Sequence, residues 1–197
     1  ESGMQPCTYF PIKAVTYTDA NNWTPKNAGG NYDEDLNYNL EYALSNSINT
    51  IAVKVLNETG LPQVINQAKL MGIDNHIESV PSIALGTSNL SVLELAQAYT
   101  SYVNESVPTT PIFITKIEDK DGNLIASYED INPKKHAQKA FSNTTRQVML
   151  EFMKETINNG TAQRLRNQYQ FKNDLAGKTG TTQDNKDGWF VAIMPKL

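Results

Sequence analysis

Ala176-Gly177-Lys178-Thr179-Gly180-Thr181-Thr182 is the stretch that decides how this chain is read. Asp174 to Thr182 and Gly188 to Met194 read as two strands, with Asp184-Asn185-Lys186-Asp187 supplying the turn between them. A lysine on a strand edge, followed by Thr-Gly-Thr, makes a specific kind of site. The Lys178 ammonium sets a positive potential, and the Thr179 and Thr181 hydroxyls can donate to a carboxylate. Gly180 has no side chain, so an extended ligand can approach the backbone and add as a further strand. A turn ahead of a solvated lysine accounts for the same residues taken alone, and at this point both readings stand.

The second informative segment is Ser47-Ile48-Asn49. Apolar residues at helical spacing run from Asn37 to about Leu56, through Leu40, Ala43, Leu44, Ile48, Ile51, Ala52 and Val55. Ser45-Asn46-Ser47 interrupts them with residues that hydrogen-bond their own backbone. One helix, or two meeting at a short turn near Ser47, both fit. At such a junction Ser47 can present its hydroxyl to a cleft, and Asn49 can offer an amide to a substrate carbonyl. Plain capping by Ser47, with Asn49 a polar helix residue, is the simpler account of the triplet by itself.

The rest of the chain sets the architecture. Residues 1 to about 36 read as loop, punctuated by Pro6, Pro11, Pro25, Gly29 and Gly30, with short extended pieces such as Ala14 to Thr18. Pro62 to Met71 reads as a helix closed by Gly72. Ser91-Val92-Leu93-Glu94 is a capping box that opens a helix to about Val103. Ile112 to Glu118 and Asn123 to Ser127 form a hairpin turning at Lys120-Asp121-Gly122. Ser142 caps a long helix over Thr144 to Asn158, closed by Gly160. This order predicts an α+β fold with antiparallel pairing, not alternating βαβ units. The C-terminal strand pair is marginal by itself, so an incomplete sheet is expected, with further strands coming from a longer protein.

Composition narrows the function classes. The 197 residues suit one domain spanning residues 1–197. A net charge of −4 without basic clusters argues against nucleic acid as a partner. Cys7 is the single cysteine, which excludes an internal disulfide. His76 and His136 lie far apart in sequence and no CxxC pair occurs, so neither a metal site nor a cofactor is expected. No apolar run approaches the roughly 18 residues of a membrane span. Glu1-Ser2-Gly3-Met4 lacks the regions of a signal peptide and reads as a boundary inside a longer protein.

Taken together, the Lys178 and Ser47 segments resemble the penicillin-recognising serine enzymes, whose signature is Ser-x-x-Lys, Ser-x-Asn and Lys-Thr-Gly. The resemblance extends over residues 1–197. Asn22-Trp23-Thr24-Pro25-Lys26-Asn27 resembles the loop that precedes the second motif in class A penicillin-binding proteins. Leu40 to Val53, Ile83-Ala84-Leu85-Gly86-Thr87-Ser88, Leu93 to Tyr99, Asn159-Gly160-Thr161-Ala162 and Asp187-Gly188-Trp189-Phe190-Val191 match later stretches in order. The Trp23–Asn27 loop and the Thr182–Val191 region favour class A over class B and over the small carboxypeptidases.

The resemblance implies a partial transpeptidase domain of β-lactamase-like fold. It also implies acyl transfer from a peptidoglycan stem peptide ending in D-Ala-D-Ala, with β-lactams as mimics. Ser47, Asn49 and Lys178 would be the catalytic residues here, and Thr179, Gly180, Thr181 and Thr182 would line the substrate strand. The resemblance places such a protein at the outer face of the cytoplasmic membrane. None of the lysines has a serine three positions earlier, so the nucleophile's motif lies outside these residues. The isolated chain is therefore expected to be inactive, and to be partly ordered, to self-associate, or to require a companion chain that completes the sheet. A non-catalytic peptidoglycan or β-lactam sensor of the same fold is the alternative. An assembly domain without ligand and a serine β-lactamase fit the motifs less well.

Overall fold

A computed structural model of the chain describes residues 3–30, 32–128, 138–182 and 186–194. It begins with strand β1, Tyr9–Ile12, and strand β2, Asp33–Asn39, followed by helices α1, Leu40–Ser45, α2, Asn49–Thr59, and α3, Leu61–Leu70. Helix α4, Val92–Thr100, leads into strands β3, Lys116–Glu118, and β4, Leu124–Ser127. Helix α5, Asn143–Asn158, the short helix α6, Arg164–Asn167, and strands β5, Ala176–Thr181, and β6, Gly188–Ile193, follow among the described residues. Each strand pair is antiparallel and two-stranded: β1 with β2, β3 with β4, β5 with β6. This is the expected α+β fold, with the strands of the described residues in separate two-stranded sheets.

The N-terminal region departs from its reading as loop. Phe10 pairs with Tyr38, and the register shifts between Pro11 and Ile12. A four-residue strand containing proline has no alternating run to reveal it, and its partner lies over twenty residues away. What holds it is burial: Phe10 and Ile12 enter a core cluster with Ala43 of α1 and Ile51 of α2. Ala14 to Thr18 is not a strand, and only Tyr17 bridges to Trp23. Asn37, expected to open a helix, belongs to β2 instead, and Asn39 caps α1 by accepting from the Tyr42 N–H at 2.8 Å.

Other elements follow their local signals. Gly72 takes φ +89° just past α3, as a left-handed helix terminator should. The Ser91 hydroxyl accepts from the Glu94 N–H, and the Glu94 carboxylate accepts from the Ser91 N–H at 2.9 Å. Ser142 caps α5 by accepting from the Thr145 N–H at 3.1 Å. The four-residue α6 was not legible, since so short a helix carries no periodicity. It helps form a second cluster in which Leu165 packs on Ile157, Ala162 and Leu175. That cluster seats the start of β5 against α5. The turn expected over Asp184-Asn185-Lys186-Asp187 falls partly outside the described residues.

Candidate active site

The site begins with how α1 ends. The Ile48 N–H donates to the Ala43 carbonyl at 2.9 Å, and the Ser47 N–H donates to the Leu44 carbonyl at 3.2 Å. These two bonds close a left-handed helix terminator in which the reversing residue is usually glycine. Here it is Ser47, with φ +53°. Ile48 packs against the core around Ala43, supplying the hydrophobic contact that accompanies such a terminator. A serine in this conformation costs of order 1 kcal/mol. Ser47 does not cap α2, whose cap position is Ile48 and has no side-chain bond. Two helices meeting at Ser47, rather than one continuous helix, is what forms.

Lys178 reaches that hydroxyl from the other end of the chain. Its Nζ donates to Ser47 Oγ and, at 3.0 Å, to the Thr179 carbonyl. The two residues stand 131 positions apart in sequence. Burial pushes the Lys178 ammonium below the usual lysine value, because leaving water penalises the charged form. Lys178 pairs with Val191, Thr179 with Phe190 and Gly180 with Trp189 across the β5–β6 hairpin. Gly177 is required by this pairing, since a Cβ there would lie 2.7 Å from the Val191 carbonyl oxygen. At Gly180 a Cβ would meet Trp189 Cβ at 3.3 Å, so even a methyl group would crowd the strand.

Asn49 opens the first turn of α2 and is held by the Trp23–Asn27 loop. Its Nδ2 donates to the Lys26 carbonyl at 2.7 Å. One residue on, Asn27 Oδ1 accepts from the Thr50 N–H at 3.1 Å, and this contact is buried. The Trp23–Asn27 loop therefore grips the start of α2 and fixes the orientation of the Asn49 amide. A carboxamide has two N–H donors, so one remains beyond the Lys26 bond.

The remaining site residues are held by neighbours outside the strand. Thr179 Oγ1 and Thr161 Oγ1 are 2.5 Å apart. The Thr161 N–H donates to the Ser45 carbonyl at 3.0 Å. Thr181 ends β5 and is exposed. Thr182 is tied to Asp187: its N–H donates to the Asp187 carbonyl, its hydroxyl donates to Asp187 Oδ2 at 3.1 Å, and it accepts the Asp187 N–H at 2.8 Å. Its hydroxyl thus closes the hairpin. Thr161, Lys26, Asn27 and Asp187 were not singled out for roles from sequence, although each lies in a stretch already marked by resemblance. Among the described residues, no group of three or more His, Cys, Asp or Glu side chains is placed to hold a metal.

A lysine-bearing hairpin strand is thus set against a serine at a helix junction, in an α+β domain. Residues 8–196 match the penicillin-binding protein transpeptidase domain, and the chain belongs to that family, on its class A side. It is 35% identical over 204 aligned positions to penicillin-binding protein 1A of Aquifex aeolicus, covering 99% of this chain and 26% of that protein. It is 32% identical to penicillin-binding protein 1A of Neisseria meningitidis, covering 89% of this chain and 22% of that one. The chain thus spans about a quarter of the length of these relatives. In fold it superimposes on penicillin-binding protein 1A from Haemophilus influenzae with a TM-score of 0.83 at 22% identity, covering 97% of this chain and 33% of that structure. PonA1 from Mycobacterium tuberculosis, solved in complex with penicillin V, aligns with a TM-score of 0.77 at 20% identity over 98% of this chain and 53% of that one.

Proposed function

We propose that this chain supplies the anion-binding and proton-relay half of a peptidoglycan D,D-transpeptidase. The contact that carries the proposal is the donation from Lys178 Nζ to Ser47 Oγ. In the reaction a serine oxygen attacks the carbonyl of the D-Ala-D-Ala bond and D-Ala departs, leaving an acyl-enzyme. An amine from a neighbouring strand then takes the acyl group and frees the serine. A Ser-x-x-Lys motif outside these 197 residues provides the nucleophile and its base.

Each residue here has a part. Ser47 accepts from Lys178, which leaves its own O–H to serve the departing nitrogen. Asn49, steadied by Lys26, holds the substrate amide carbonyl with its second N–H. Lys178 holds positive potential near the terminal carboxylate, to which Thr179 and Thr181 donate. Gly180 lets the peptide lie close, and the Thr181 N–H serves the developing oxyanion. Losing one such donor typically costs about 10² to 10³ in rate. Thr182 acts by closing the hairpin behind this strand. A β-lactam, which carries both a strained amide and a carboxylate, acylates the same serine and stays. The complex of PonA1 with penicillin V supports this ligand class.

By its family the parent protein works at the outer face of the cytoplasmic membrane. Among the described residues no helix is long and apolar enough to cross a membrane. The isolated chain is inactive on this reading, because the attacking serine is elsewhere. Intact-mass analysis after exposure to a fluorescent penicillin tests both parts. The 197-residue chain should remain unmodified, while the full-length protein should gain one covalent adduct. An adduct on the isolated chain would refute its inactivity. Failure of the full-length protein to acylate would turn the reading toward a non-catalytic sensor.

A further inference from the structure

From the contacts of Thr161 we infer a positioning residue for carboxylate recognition: its hydroxyl orients that of Thr179 so that the Thr179 proton faces the ligand. The inference rests on the reading of Thr179 as a carboxylate contact. Thr161 lies after α5, outside both segments that carry the motifs, and it touches each of them. Its N–H donates to the Ser45 carbonyl at 3.0 Å, two residues before Ser47. Its Oγ1 lies 2.5 Å from Thr179 Oγ1, one residue after Lys178. One residue therefore ties the end of α1 to β5.

The direction of the hydroxyl bond follows from counting protons. A hydroxyl has one proton to donate and two lone pairs to accept with. A carboxylate only accepts. With a carboxylate bound, Thr179 must give its proton to the ligand, and the 2.5 Å contact then requires Thr161 to donate to Thr179. The resulting chain runs from Thr161 O–H to Thr179 O–H to carboxylate, each link polarising the next. Without Thr161, the Thr179 hydroxyl is free to turn.

Thr161 is itself held rigidly. Gly160, which precedes it, packs so closely on α1 that a Cβ would lie 2.3 Å from the Ser45 carbonyl oxygen. The hydroxyl is thus presented from a backbone with little freedom.

The test compares acylation of the full-length protein by benzylpenicillin and by its methyl ester, which lacks the carboxylate. Wild type should prefer the acid. Thr161→Val should lower acylation by the acid about tenfold while changing the ester rate by less than about twofold. Thr161→Ser should keep most of the preference, because it retains the hydroxyl. Thr161→Ala serves if the valine variant does not fold, with the same expected loss. If the removal of the hydroxyl slows acid and ester equally, Thr161 is merely structural and the inference is overturned. Thr179→Val is the control for the reading beneath it. If that variant keeps the wild-type preference while still acylating, the assignment of Thr179 fails, and that of Thr161 with it.

Discussion

Lys178 is the residue whose surroundings matter most for pH dependence. Burial holds its ammonium below the usual lysine value, so it loses its proton at a lower pH than a solvated lysine. Carboxylate recognition should fade through that same alkaline window. Acylation of the full-length protein by benzylpenicillin should therefore fall on the alkaline side, while the methyl ester shows a flatter profile. In Lys178→Arg the guanidinium stays charged throughout, so the alkaline fall should move to higher pH. Superimposable profiles for wild type and Lys178→Arg would remove Lys178 from this role. Stability runs the other way. Between the folded and the unfolded pKa the folded chain binds fewer protons, so the contribution of Lys178 to stability rises with pH there. Ser47 shows a related trade. Its left-handed backbone, φ +53°, is tolerated because the helix terminator and the packing of Ile48 over-determine it.

At the scale of elements, the join between α1, α5 and β5 is what brings Ser47, Thr161, Lys178 and Thr179 together. Gly160 is its tightest point. Its φ is not in the left-handed region, so the demand for glycine comes from close approach alone. A Cβ would lie 2.3 Å from the Ser45 carbonyl oxygen and 2.8 Å from Thr156 Cα, both backbone atoms that cannot swing aside. Gly160→Ala should therefore push α1 from α5, at a cost of about 2 kcal/mol. Thermal unfolding of the full-length protein should shift down by several degrees, and acylation by the acid and the ester of benzylpenicillin should fall together, because both Ser47 and Thr179 move. A wild-type melting temperature in Gly160→Ala would contradict the packing described. The equal loss contrasts with Thr161→Val, which should affect the acid alone.

At the scale of the whole molecule, the described residues leave apolar surface uncovered. Phe113 is 80% exposed, and Ile125, in the β3–β4 hairpin, is 66% exposed. Trp189 and Phe190 on β6 are also exposed. Two-stranded hairpins have unpaired edges, and a net charge of −4 offers little repulsion. The isolated chain should accordingly self-associate as its concentration rises from about 1 to about 100 μM, which sedimentation velocity reads directly. Phe113→Ser with Ile125→Thr should reduce the effect. A monomer across that range would mean these faces need no partner.

Local chemistry determined much of this from sequence. The caps at Ser91 and Ser142, the terminator at Gly72, the β5–β6 hairpin and the Lys-Thr-Gly and Ser-x-Asn segments are written in neighbouring residues, because capping, turn formation and alternation act within a few positions. Strand β1, the grip of Lys26 and Asn27 on α2, and the bridge from Ser45 through Thr161 to Thr179 were decided only in three dimensions. Each joins positions about twenty to more than a hundred apart, and such contacts form only when burial brings distant segments together. The motifs named the participants. The packing of α1 and α5 against β5 decided which of them meet.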